Sequence, residues 1–137
     1  MPGKHGNEAT WWMMLNSTAV YRTVSSSDTE TAAGVEAITQ VYDRNALPGV
    51  APIRAAYNSL LQVYAVADAT VTGFAISVYV EAPVVSGAGR WCLMEKVSSI
   101  TGSRLLSFRD VPAAKVKVLV TGMTGTGNVQ LVLASSV

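Results

Sequence analysis

Apolar and polar residues alternate with a period of two through most of the second half of the chain. In "TGFAISVYVEA", Phe74, Ile76, Val78 and Val80 share one face, with Ala75, Ser77, Tyr79 and Glu81 on the other. Strict alternation of β-branched and aromatic residues predicts a strand. Pro83, Gly87 and Gly89 in "PVVSGAGR" end it, because proline and glycine supply turn dihedrals. "WCLMEKV" is the expected return strand, with Trp91, Leu93 and Glu95 on one face. "SRLLSF" follows the Thr101-Gly102 turn signal as a further short strand. Arg109 to Pro112 forms the next connection, since a residue before proline is driven to extended backbone. "AKVKVLVT" places Val116, Val118 and Val120 inward and Lys115 and Lys117 outward, and "NVQLVLAS" groups Val129, Leu131 and Leu133. Between these two runs, the seven residues from Gly122 to Asn128 read as a hairpin loop.

The first half carries a weaker pattern. "ATWWMMLNSTAVYRTV" is rich in β formers and predicts one or two strands, and "SSSDTETAAG" is a polar loop. "GVEAITQVYDR" fits a strand, yet Val35, Ile38, Val41 and Tyr42 also fit one helical face. In "PIRAAYNSLLQVYAVADAT", Ile53, Tyr57, Leu60, Leu61 and Tyr64 have helical spacing, with Pro52 placed for a helix start. Leu61, Val63, Ala65 and Ala67 alternate instead. The reading is a loop or short helix over 52–60, then a strand. That makes about seven to nine short strands with regular turn signals. The expected class is all-β, an antiparallel β-sandwich of Ig-like or jelly-roll type. An N-terminal arm with the first strand occupies 1–25, and the sandwich domain 26–137.

Composition changes the picture of the surface. Half of the 137 residues are apolar and only 14% are charged, against roughly 25% in ordinary soluble domains. Much of the exterior must therefore be Ser, Thr, Gly, Ala and Val, which suits a protein packed against neighbours. The net charge is +1, and the ten Lys and Arg residues are scattered from Lys4 to Lys117. Without a basic stripe, nucleic acid is not an expected partner. No apolar run approaches the ~18 residues of a membrane helix, and Trp11 to Leu15 is too short for a signal-peptide core, so neither membrane nor cleaved leader is expected.

Candidate chemistry is sparse. A phosphate loop needs glycines that feed a helix and a lysine on the outer phosphates. Here no lysine follows Gly122 to Gly127, and a strand is expected next. The one histidine, His5, lies among glycines near the start, and the one cysteine, Cys92, reads as a small packed hydrophobe beside Trp91. One of each cannot fill a zinc shell. The nine acids are spread singly, at expected loops and strand ends such as Asp28, Glu30, Asp43, Asp68 and Asp110. A glycosidase pair would have to be assembled by folding. No enzyme activity, cofactor or metal is expected. "WWMML" is the strongest interaction feature, because Trp and Met are favoured at interfaces. It reads either as the first core strand or as an arm reaching a neighbour. Tyr21, Tyr57 and Tyr79 are candidates for a glycan-binding face.

The block from Thr70 to Val137 resembles bacteriophage virion accessory β-sandwiches, in particular capsid decoration (cement) proteins. The resemblance rests on "FAISVYVEAPVVSGAGRWCLMEKV" and "AKVKVLVTGMTGTGNVQLVLASS", in which a Gly-rich turn precedes a Trp-led strand and a Thr-Gly loop precedes a Val/Leu-rich last strand. It implies a non-enzymatic homo-oligomer, a trimer favoured, in a virion assembled in the host cytoplasm. The major capsid protein or another virion protein would be its partner, and tail, neck or fibre components and receptor-binding sandwiches are the alternatives. On that reading Trp11, Trp12, Met13, Met14 and Leu15 form an anchoring arm. Gly87, Gly89, Thr124, Thr126 and Asn128 give secondary contacts.

Overall fold

The computed structural model describes residues 19–28, 30–44, 60–82, 90–112 and 115–136. Eight strands run through them: β1 (Ala19–Ser25), β2 (Tyr42–Asp43), β3 (Leu60–Ala67), β4 (Val71–Glu81), β5 (Trp91–Ile100), β6 (Arg104–Phe108), β7 (Lys115–Gly125) and β8 (Asn128–Ser136). A 3-10 helix, Ala32–Ala37, lies between β1 and β2. Two antiparallel sheets form, a first in the order β1-β8-β3-β6 and a second in the order β2-β7-β4-β5. Each strand of the first half pairs with its mirror in the second: β1 with β8, β2 with β7, β3 with β6, β4 with β5. A long hairpin rolled in this way is a jelly roll. The chain is thus the expected all-β sandwich, and its strand order selects the jelly roll over the Ig-like alternative.

Alternation sets the core. Leu61, Val63 and Ala65 of β3, Phe74, Ile76 and Val78 of β4, Val116, Val118 and Val120 of β7, and Val129, Leu131 and Leu133 of β8 are all buried. They meet between the sheets with Ile100 and Phe108.

β7 and β8 share no ladder, because one belongs to each sheet. The Gly122–Asn128 stretch, expected as a seven-residue hairpin loop, is therefore a corner. β7 runs on to Gly125, β8 starts at Asn128, and only Thr126 and Gly127 cross between sheets. The crossing is tied to two other turns. Thr126 N–H donates to Thr70 O at 3.1 Å, Ser26 N–H to Gly127 O at 2.9 Å, and Asn128 N–H to Asp68 Oδ2 at 2.8 Å. A Cβ on Gly125, at φ +81, would lie 2.3 Å from Thr70 O. The glycine satisfies a close backbone approach.

Three other expectations are corrected. A bulge between Val78 and Tyr79 shifts β5, so that Trp91 and Leu93 pair with Glu81 and Tyr79, while Glu95 pairs with Val78 on the opposite, core-facing side. Cys92 is exposed rather than packed. Lys117 does leave the core, as alternation requires, but it is 3% exposed. The chain's own 3-10 helix lies over it.

Candidate interaction surface

The two sheets differ in what covers their outer faces. On the second sheet, Tyr79 of β4, Leu119 of β7 and Trp91 of β5 form a small second core with Val35 and Ile38 from the 3-10 segment. Val35 and Ile38 are three residues apart, the repeat of a 3-10 helix. Lys117 Nζ donates to Val35 O at 2.9 Å and sits 4.5 Å from the centre of the Trp91 ring. Burial pushes its ammonium below the ordinary lysine range.

No described residue covers the outer face of the first sheet. Register places one apolar row across all four of its strands. Val20 of β1 is opposite Val132 of β8, Val132 is opposite Tyr64 of β3, and Tyr64 is opposite Leu105 of β6. Val20 is 64% exposed, Leu105 48% and Tyr64 38%, and Val66, one step along β3, is 49%. Thr23, Gln130, Gln62 and Ser107 flank this row, and none of the paired positions on this face is charged. Contiguous exposed apolar surface of this kind marks contact with another molecule more often than isolated exposed hydrophobics do.

The two long sides of the sandwich also differ. Where β1 faces β2, side chains seal the gap. Arg22 makes a bidentate pair with Glu30 at 2.6 and 2.9 Å and donates to Val118 O at 2.6 Å. Glu30 Oε1 accepts from Val120 N–H at 2.9 Å, and the Tyr21 hydroxyl accepts from Val118 N–H at 3.4 Å. β2 covers only Lys115 and Val116, so these side chains finish the edge of β7 that a longer β2 would have paired. Burial opposes the Arg22 charge, and the bonded Glu30 carboxylate outweighs it, so the guanidinium is held above its usual range. Beyond them Tyr21 and Tyr42 meet edge to face at 6.3 Å. Arg44 reaches from the end of β2 to Ser135 of β8 at 3.1 Å and Val111 O at 3.4 Å.

Where β5 faces β6 no described residue closes the gap. A groove of about 500 Å³ runs there, lined by Met94, Glu95, Ser107, Arg109, Asp110 and Pro112. A smaller hollow of about 100 Å³ lies by Ser26, Asp28, Glu30 and Gly122. Among the described residues no three His, Cys, Asp or Glu side chains converge on one point. No described helix is long and apolar enough to cross a membrane.

The expected contact residues fall as follows. Trp11 to Leu15, Gly87 and Gly89 lie outside the described residues. Thr124 and Asn128 belong to the corner network, Thr124 through a 2.9 Å bond between its hydroxyl and that of Thr72. Thr126 is exposed on the corner. None of these three reaches the apolar row. Of the tyrosines, Tyr79 is buried under the 3-10 segment and Tyr21 is held in the β1/β2 seam, so neither presents an open ring face. Tyr57 lies outside the described residues. The row and the Arg22–Glu30 pair were not singled out from sequence. Tyr64, Val66 and Leu105 occupy the polar phase of their strands, and that mismatch is the one signal that marks them. Comparison with family models, with curated proteins and with solved structures finds no match.

Proposed function

We propose that this chain is a non-enzymatic structural protein of a bacteriophage virion, a jelly roll that docks on the assembled shell as a decoration protein. The observation that carries the reading is the uncovered, uncharged outer face of the first sheet with its Val20–Val132–Tyr64–Leu105 row. A shell surface that meets this face buries apolar area without leaving charges unpaired. On the same reading Trp11 to Leu15, which lie outside the described residues, serve as the anchoring arm. Because such a site exists only on the assembled lattice, binding stabilises assembly by mass action. The link from jelly roll to virion is an analogy between folds joined to the sequence resemblance.

An antiserum raised against the purified chain tests this directly. Intact virus particles from the same source should be labelled at regular positions in electron micrographs. Their heat release of genome should come earlier once the protein is stripped off. Particles that carry no label would remove the virion reading, and binding on a glycan array would replace it with the receptor-binding alternative.

A further inference from the structure

We propose that β6 is a docking edge for a second copy of this chain, which joins it antiparallel about a two-fold axis and extends the first sheet to eight strands. The proposal is independent of the virion reading. It starts from the four sheet edges. An exposed edge strand offers unpaired backbone groups, and proteins block such edges with bulges, charges or shortness. β2 has only two residues. β1 is kinked by a bulge between Val20 and Arg22. β5 has two register shifts, a core-side Glu95, an exposed Lys96 and Ser99 at φ +58. β6 is less guarded: its one charge, Arg104, stands at its first residue. It pairs with β3 over five consecutive residues without a shift, and its interior, Leu105-Leu106-Ser107, is uncharged.

Two features point to a copy of the same chain rather than another partner. The apolar row ends at Leu105 on this edge, so a two-fold axis perpendicular to the sheet beside Leu105 joins two rows into one stripe across eight strands. The second feature is charge. Arg104 begins β6 on its core-facing side, opposite Ala65. With Leu105 facing its own copy, antiparallel addition brings the partner's Arg104 beside Leu106, next to Ser107 of the groove that carries Glu95 and Asp110 against the single cation Arg109. That groove has one negative charge in excess, and the incoming guanidinium supplies its counterpart. Parallel addition would stack Arg104 on its own copy. Each chain provides one Arg104 and one groove, so the contact closes with two copies and leaves no edge for a third.

The test is light scattering on the full-length protein and on three exposed-site variants, with circular dichroism to verify the fold. The wild type should have the mass of a dimer at tens of micromolar. Leu105→Lys, which sets like charges across the axis, should give a monomer, and Arg104→Glu should weaken the dimer at least tenfold. Val20→Lys, at the other end of the same row, should remain a dimer, because β1 lies far from the axis. A wild-type monomer or trimer overturns the proposal. So does a dimer that survives Leu105→Lys, or one broken by Val20→Lys, which would mean that the sheets pack face to face.

Discussion

Gly125 shows what one residue does in this fold. Its φ of +81 and the 2.3 Å approach that a Cβ would make to Thr70 O leave no room for a side chain. Gly125→Ala should therefore cost at least about 2 kcal/mol in urea denaturation. Gly122→Ala, at φ +62 with nothing within 4 Å of the added carbon, should cost only about 1 kcal/mol, the backbone term alone. The Arg22–Glu30 pair is the second sensitive point. Its side chains are 9% and 11% exposed, and the carboxylate also holds Val120 N–H. Glu30→Ala strands a buried guanidinium and an N–H, and about 3 kcal/mol should be lost, read from the same unfolding curves. Lys117 is the opposite case. Its acceptor, Val35 O, also receives Ile38 N–H at 3.3 Å, so Lys117→Met orphans no group. That variant should be as stable as the wild type or more so.

At the scale of elements, the two faces of the first sheet should respond differently to substitution. Leu131 is fully buried between the sheets, and Leu131→Ala should cost about 2–5 kcal/mol. Val132, its neighbour on the outer face, is half-buried on the row. Val132→Thr and Val66→Thr should each change stability by no more than about 0.5 kcal/mol. Urea midpoints measured side by side would show whether this face serves folding. A large loss at both outer positions would mean that the face is already covered in the free protein. Alternation made β3, β4, β6, β7 and β8 legible from sequence, since period two survives wherever one face is buried. It misplaced Glu95, because a bulge changes the phase and no residue type announces it. It also misread the 122–128 stretch. Glycines and threonines suit a hairpin and a sheet-switching corner equally, and the choice depends on which strands pair.

The whole molecule is asymmetric. One long side is sealed by Tyr21, Arg22, Tyr42 and Arg44, and along the other, which no described residue closes, runs a groove. One outer face is covered by the 3-10 segment, and no described residue covers the other. The sealed side gives a pH signature. Burial raises the pKa of Tyr21 and Tyr42 above 10.0. The folded state therefore holds these protons more tightly, and the stability they contribute is complete below pH ~10 and lost as pH rises through their folded values. Lys117 works in the other direction, since its lowered pKa makes stability rise with pH up to ~10.4. Urea midpoints followed from pH 7 to 11 should fall at the alkaline end. Tyr42→Phe should soften that fall, and Lys117→Met should remove the preceding rise.

By itself the sequence determined the all-β class, the positions of most strands and the phase of their core residues. These follow from local periodicity and from the places where glycine and proline interrupt it. The tertiary structure alone decided the jelly-roll order, the corner at Thr126-Gly127, the covered Lys117 and the bare row from Val20 to Leu105. The physical reason is separation along the chain. The row joins residues from 20 to 132, and the Arg22 guanidinium reaches Val118, 96 positions away. No local pattern records such a meeting, because pairing between distant strands is fixed only when all of them are packed together.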